Sequence, residues 1–177
     1  MRRAVFLDRD GVLLPVVVRD GIPRPIADEE VELLPGVAEA CRTLREAGFL
    51  LVVVTNQPDI ARGTVSAEAV ERINARLRSM LPLDDLRVCP HDDADDCDCR
   101  KPRPGLLVDA ASDWEVELAS SFMVGDRWRD VGAGRRAGCR VIFVDRGYEE
   151  MLEVEPDAVV SGLPEAAEWI LQPGKRA

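Results

Sequence analysis

Short apolar runs rich in valine alternate along the chain with segments of helical periodicity. The apolar runs predict strands, and the segments with apolar positions three and four apart predict amphipathic helices. Strands covered on both faces by helices read as continuous apolar runs, which favours an α/β fold with a Rossmann-like parallel sheet. The predicted strands are Ala4–Asp8, Leu50–Thr55, Ser121–Val124, Val141–Asp145 and Ala158–Val160; the predicted helices are Gly36–Ala47, Ser66–Met80, Gly105–Asp113, Val131–Ala137 and Leu163–Leu171.

Polar side chains stand where four of these strands end. In a parallel α/β sheet the ligand site lies at the carboxyl ends of the strands, so these side chains are expected on one edge. One polar strand end is an ordinary turn, whereas four on one edge indicate an active site. The residues are Asp8 and Asp10, then Thr55, Asn56 and Gln57, then Gly125 and Asp126, and finally Asp145 and Arg146.

The connection from Val12 to Pro35 is punctuated by prolines. Asp20-Gly21 within it predicts the turn of a short hairpin. The segment is too short for a second or cap domain, so residues 1–177 are expected to form one domain. The last residues, Pro173–Ala177, are expected to be a frayed tail.

Composition narrows the range of partners. The chain has 177 residues, with 33 acidic against 23 basic side chains and a formal net charge of −10. This acidity argues against nucleic-acid binding, which needs a basic face, and against docking on an anionic membrane. The apolar run after Met1-Arg2-Arg3 is too short for a signal peptide, and no run is long enough to span a membrane. We therefore expect a cytoplasmic protein, and a monomer.

Three of the five cysteines and the only histidine fall within eleven positions: Cys89, His91, Cys97 and Cys99. Three thiolates and one imidazole form a closed tetrahedral set, which is the structural zinc pattern. The alternative is a chance cluster of reduced thiols in an acidic loop. Zinc in the loop 89–99 would order the chain directly before Arg100 and Lys101. Cys41 and Cys139 are expected to be small buried hydrophobic residues.

Asp8 and Asp10 stand two residues apart after a strand, so both carboxylates can point the same way. Such a pair favours Mg²⁺, and a carboxylate can also act as a nucleophile that forms an aspartyl-phosphate. Taken alone, the sequence DRDG is more often a charged turn after a strand than a catalytic site. Thr55 and Asn56 offer a hydroxyl and an amide to phosphate oxygens. Lys101 offers a point charge to a phosphoryl group, and Asp126 can complete a metal site.

Four motifs in this order and spacing, FLDRDGV, VVVTNQ, RKPRPG and MVGDRWRD, resemble those of the haloacid-dehalogenase-like (HAD) phosphatases, from Phe6 to about Tyr148. The resemblance implies that Asp8 is the nucleophile and Asp10 the general acid and base. It implies that Thr55 and Lys101 hold the phosphoryl group. It also places Mg²⁺ on the Asp8 side chain, the Asp10 carbonyl and Asp126, with Asp130 orienting Lys101 or a metal-bound water.

The CxH and CxC pairs before RKP resemble two groups of this family, the D-glycero-D-manno-heptose 1,7-bisphosphate 7-phosphatases and the histidinol-phosphate phosphatases. Both lack a large cap domain, so loops would grip a small phosphorylated metabolite. The candidates for substrate binding are Asn56, Gln57, Arg62 and Arg100, with Arg127 as a further one. Arg62 and Arg100 would hold a second phosphate. Pro58-Asp59 departs from the small residues usual after TNQ.

The resemblance favours the heptose bisphosphate over histidinol phosphate, which stays as the alternative. A nucleic-acid 3′-phosphatase is a third reading, and the net charge of −10 argues against it because no basic groove is evident. A zinc-stabilised binding module with a degenerate active site is a fourth. The presence of Asp8, Asp10, Thr55, Lys101 and Asp126 argues against that reading.

Overall fold

A computed structural model describes residues 1–19, 22–25, 31–172 and 174. Its centre is a parallel sheet of six strands, which are β1 (Arg3–Leu7), β4 (Phe49–Asn56), β5 (Asp85–Cys89), β6 (Phe122–Gly125), β7 (Arg140–Val144) and β8 (Ala158–Val160). Their order across the sheet is β5-β4-β1-β6-β7-β8. A separate antiparallel pair, β2 (Val16–Arg19) and β3 (Ile22–Pro25), follows β1 along the chain.

Helices cover both faces of the sheet, which confirms the predicted fold class. Side chains alternate across β1, so Val5 and Leu7 lie in one core and Ala4 and Phe6 in the other. The first core contains α1 (Val37–Glu46), α2 (Ala67–Met80) and α5 (Leu163–Leu171). The second contains α3 (Gly105–Trp114) and α4 (Trp128–Ala137).

The strand β5 was not predicted from the sequence. Its five residues, DLRVC, carry charged side chains at Asp85 and Arg87, and it lies at an edge of the sheet beside β4. Arg87 forms ion pairs there with Asp85 and Asp113. The strand therefore lacks the continuous run of apolar residues from which the other strands are predicted. The strand matters for the site because it ends at Cys89.

The helix α4 begins at Trp128, three residues before the predicted start at Val131. Its first turn is polar in sequence and carries no helical pattern. The side chain of Asp130 accepts a hydrogen bond from the backbone N–H of Arg127 at 3.0 Å, which caps this turn. This start places Asp130 in the first turn, close to the end of β6.

The described residues between β1 and α1 hold the β2–β3 hairpin as their regular structure and no cap domain. The predicted turn residues Asp20 and Gly21 lie outside the described residues, as does the predicted tail except for Gly174. Throughout the described part of the chain, every helix falls short of the length and apolar character needed to cross a bilayer.

Candidate active site

A cavity of about 340 Å³ opens at the carboxyl ends of the central strands. The nine residues predicted for catalysis or substrate binding, Arg127 included, all line it, together with Asp126. They come from the ends of β1, β4 and β6 and from the two loops that follow β4 and β5. Asp145 and Arg146, also predicted at this edge, do not line it. Arg146 instead donates from Nε to the carbonyl oxygen of Gly11 at 2.8 Å.

Lys101 is almost completely buried beneath this cavity. Its ammonium donates to Asp8 Oδ1 at 2.8 Å, to Asp130 Oδ1 at 2.5 Å and to the carbonyl oxygen of Val54 at 2.8 Å. Burial alone would lower the pKa of Lys101, but the charges of Asp130 and Asp8 more than offset this and raise it. Lys101 therefore stays cationic beside Asp8.

Three buried carboxylates lie together here, and two of them, Asp8 and Asp130, contact the ammonium. One oxygen from each of Asp8, Asp126 and Asp130 lies within 4.8 Å of the others. Burial raises the pKa of Asp8, the charge of Lys101 opposes this rise, and the charges of Asp130 and Asp10 add to it, so that the pKa lies at about 7. Burial, followed by the charges of Asp8 and Asp130, also raises the pKa of Asp126. With all three carboxylates ionised, the three carboxylates and the ammonium carry a net charge of −2, which one divalent cation would neutralise.

The arrangement fits Mg²⁺ in two further respects. Asp126 Oδ1 is buried and has no partner in hydrogen-bonding geometry among the described residues, although the Tyr148 hydroxyl interacts with this carboxylate, so Oδ1 can serve as a metal ligand. Gly11 has φ +88°, and a Cβ there would lie 1.8 Å from Asp126 Oδ2. Only glycine allows Asp126 to approach the turn after β1 this closely.

Asp10 is held from two sides. The guanidinium of Arg9 donates to it, with Nη2 2.9 Å from Oδ2 and Nε 3.2 Å from both oxygens. Gln57 Nε2 donates to Asp10 Oδ2 at 2.8 Å and to Thr55 Oγ1 at 2.9 Å. Gln57, predicted as a substrate contact, therefore links the predicted acid and base to Thr55.

Asn56 uses both ends of its amide on the backbone of Lys101. Nδ2 donates to the Lys101 carbonyl oxygen at 3.0 Å, and Oδ1 accepts from the Lys101 N–H at 3.1 Å. These bonds join the end of β4 to the loop that carries the lysine. The sequence predicts a substrate contact for this side chain, and the geometry gives it a second task that no motif indicated.

Three of the four arginines that line the cavity pair with carboxylates of the loop 89–99. Arg62 binds Asp92 with two bonds of 2.7 Å, and Arg100 Nε donates to Asp93 Oδ1 at 2.8 Å. Arg129, which the sequence did not single out, also reaches Asp93, at 3.2 Å. Arg127 binds Glu150 instead. The cationic rim is thus tied to the loop 89–99.

The four predicted zinc ligands are brought together. Sγ of Cys89, Cys97 and Cys99 and Nδ1 of His91 lie within 4.8 Å of one another. Five of their separations fall between 3.1 and 3.7 Å. Zinc bound to thiolates at its usual length places its ligands about 3.8 Å apart, so the cluster fits a tetrahedral zinc ion. Cys41 and Cys139 lie elsewhere as buried thiols.

Sequence reasoning missed two residues beneath the site, Arg9 and Asn74. An arginine between two aspartates reads as a charged turn. Asn74 lies on the buried face of α2 between Ile73 and Leu77, and its one signal is a polar residue at an apolar position of the helix.

A model of the HAD-hydrolase-like family matches residues 98–166. The D-glycero-D-manno-heptose-1,7-bisphosphate 7-phosphatase of Thermosynechococcus vestitus is 37% identical to this chain. The match covers 96% of this chain and 95% of that protein. The chain belongs to the HAD-like phosphatase family. A relative from Escherichia coli K12 with the name D-glycero-beta-D-manno-heptose-1,7-bisphosphate 7-phosphatase is 36% identical, over 95% of this chain and 87% of that protein.

The family fold is also that of a solved enzyme, the D,D-heptose 1,7-bisphosphate phosphatase of B. bronchiseptica. The two structures agree with a TM-score of 0.81 and 32% identity, over 96% of this chain and 98% of the other. That enzyme was crystallised in complex with magnesium and phosphate.

Proposed function

We propose that this HAD-like phosphatase removes the 7-phosphate of D-glycero-D-manno-heptose 1,7-bisphosphate through an aspartyl-phosphate on Asp8. The observation that carries the proposal is the contact of Lys101 with Asp8 inside the cavity, at 2.8 Å, with Asp126 and Asp130 beside them. The names of relatives that match nearly the whole chain support the choice of substrate.

In the first step Asp8 attacks the phosphorus of the substrate. A bond forms between an Asp8 oxygen and phosphorus, and the ester bond to the sugar oxygen breaks. Asp10 gives its proton to that oxygen, so the sugar leaves as an alcohol. Lys101 and Thr55 hold the phosphoryl oxygens, and the Lys101 charge stabilises the negative charge that these oxygens carry in the transition state.

In the second step Asp10 acts as a base. It takes a proton from a water molecule, whose oxygen bonds to phosphorus while the bond to the Asp8 oxygen breaks. Inorganic phosphate leaves, and Asp8 is again a carboxylate. The proton that Asp10 gave to the sugar is thereby replaced.

Asp8, Asp126 and the carbonyl oxygen of Asp10 would hold Mg²⁺, with Asp130 supporting Lys101. The ion supplies charge neutralisation at the phosphoryl oxygens and at the crowded carboxylates. The uncompensated charge of the three carboxylates and the unpaired Asp126 Oδ1 support this assignment.

Cys89, His91, Cys97 and Cys99 would hold a structural zinc ion. The loop they close carries Asp92 and Asp93, which bind Arg62 and Arg100, and it ends directly before Lys101. Zinc would thus set the positions of the rim arginines and of the lysine. Arg62 and Arg100 would exchange these aspartates for the second phosphate of the substrate.

The test is a phosphate-release panel with magnesium. It compares both anomers of the heptose bisphosphate, histidinol phosphate, other sugar phosphates and a 3′-phosphorylated oligonucleotide, with Asp8→Asn as the blank. We expect the highest kcat/KM on one heptose bisphosphate anomer. Faster turnover of histidinol phosphate would select the alternative, and equal turnover of all esters would indicate a general phosphatase.

A further inference from the structure

Arg9 is fully buried at the end of β1, with no exposed surface. Burying a guanidinium costs free energy unless an opposite charge and hydrogen bonds compensate for the lost contact with water. The buried position of Arg9 therefore needs an explanation. The mechanism above gives it no task, although it stands between the two aspartates that do the chemistry. Its backbone carbonyl accepts bonds from the N–H groups of Leu13 and Leu14, each at 3.0 Å, which fixes the turn around it.

The side chain of Arg9 bridges Asp10 and α2. On one side Nε and Nη2 contact the Asp10 carboxylate at 2.9 to 3.2 Å. On the other, Nη1 donates to Asn74 Oδ1 at 2.9 Å. Asn74 is itself fully buried on α2, 65 residues further along the chain. The guanidinium is therefore held at one end by Asp10, beside the cavity, and at the other by a fully buried residue of α2.

The contacts on Asp10 are unequal. Oδ2 accepts three of them, two from Arg9 and one from Gln57, whereas Oδ1 accepts only the 3.2 Å contact from Arg9 Nε. Oδ1 thus keeps the greater free capacity to exchange a proton with a bound ester. The side chain of Asp10 is 14% exposed, and the residue lines the cavity.

We propose that Arg9 is a positioning residue, anchored by Asn74, that holds Asp10 in the orientation for proton transfer. The inference rests on the proposed function, because Asp10 must first be the acid. It goes beyond that function by explaining how a carboxylate on a turn keeps one geometry through two proton transfers.

Substrates with different leaving groups can distinguish this positioning role of Arg9 from a purely structural one. Expulsion of a sugar alkoxide needs a proton from Asp10, whereas expulsion of p-nitrophenolate hardly does, because that anion is stable. The value of kcat/KM covers steps up to the departure of the leaving group. The ratio of kcat/KM on a sugar or alkyl phosphate to kcat/KM on p-nitrophenyl phosphate therefore measures acid catalysis by Asp10.

The experiment determines this ratio with magnesium for the wild type, Arg9→Met, Asn74→Leu and Asn74→Asp. Asp10→Asn shows how far this ratio falls when the acid is lost altogether, which should be about 100-fold or more. We expect the ratio to fall at least about 10-fold in Arg9→Met and less in Asn74→Leu. Asn74→Asp keeps an acceptor for Nη1, so its ratio should stay near that of the wild type.

Leu44→Ala, a large-to-small change in the same core as α2, is the control for lost stability and should leave the ratio unchanged. Equal losses on both esters in Arg9→Met, or an unchanged ratio, would overturn the inference. If Arg9→Met does not fold, the contrast between Asn74→Leu and Asn74→Asp decides, and equal ratios in the two contradict it. A wild type inactive on every ester would instead overturn the proposed function, and the inference with it.

Discussion

The side-chain amide of Asn56 pairs with both backbone polar groups of Lys101, at 3.0 and 3.1 Å. It joins the end of β4 to the loop that carries Lys101. The Asn56 amide thus donates to the Lys101 carbonyl oxygen and accepts from the Lys101 N–H, as the backbone of a neighbouring strand would. It gives Asn56 a role in holding Lys101 that differs from the substrate contact expected of its motif.

Replacement of Asn56 by alanine should lower kcat, because the Lys101 backbone loses both bonds and the ammonium loses its exact position. A displacement of this kind costs about 10- to 100-fold. Steady-state kinetics on the best substrate of the panel would measure it. Asn56→Asp, which loses only the donor, should lie between wild type and Asn56→Ala. A rise in KM with unchanged kcat would show instead that Asn56 binds substrate.

Asp8→Asn should release no phosphate with magnesium, because an amide cannot form the acyl phosphate. The variant should fold, since the amide oxygen can still accept the bond from Lys101. Phosphate release over hours, with circular dichroism as the check on folding, would measure this. Substantial turnover would exclude Asp8 as the nucleophile.

Gly11→Ala should weaken magnesium binding, because the added Cβ would collide with the Asp126 carboxylate at 1.8 Å. Displacement of that carboxylate should also lower the free energy of unfolding, by about 1–3 kcal/mol. Gly48→Ala is the matched control, since Gly48 has nearly the same φ, +87°, and no atom within 4 Å of its Cβ position. Tm is measured at increasing magnesium concentrations. The concentration that gives half of the rise in Tm should be higher in Gly11→Ala than in the wild type and unchanged in Gly48→Ala. Equal magnesium affinity in the two variants would refute the assignment of Asp126.

Freshly purified protein should contain about one zinc ion per chain, and Cys97→Ser should lose it. Loss of the ion should lower both Tm and phosphatase activity, because the loop positions Arg100 and Lys101. Cys139→Ser, at a buried thiol outside the cluster, is the control and should retain zinc. Metal analysis that finds well under one zinc per chain in the wild type would contradict the site.

Arg62→Ala should raise KM for the heptose bisphosphate about 10-fold, the effect of losing one charge-assisted hydrogen bond. A sugar monophosphate should lose little, because it lacks the second phosphate. Arg78→Ala removes an exposed arginine of α2 that pairs with Glu71, and should change neither KM. If Asp92→Ala raises KM as much as Arg62→Ala, Arg62 acts through the zinc loop rather than on substrate.

Much of the site could be predicted from the chain alone. Continuous valine-rich runs determine buried parallel strands, and the polar residues that end them must meet at one edge. For that reason the sequence predicts Asp8, Thr55 and Asp126 on one edge of the sheet, and in the structure all three line one cavity. The candidate zinc ligands could also be predicted, because all four lie within one short loop.

Only the tertiary structure decided which polar groups pair across long separations. Arg9 meets Asn74 over 65 residues and Asn56 meets the Lys101 backbone over 45, and neither contact leaves a periodic signal. The strand β5 was not predicted for a related reason: its charged side chains form ion pairs in the fold, and they interrupt the apolar run that predicts a strand. Hydrophobic periodicity reports which face of an element is buried. The partner of a buried polar group is set by how helices and loops pack over the sheet.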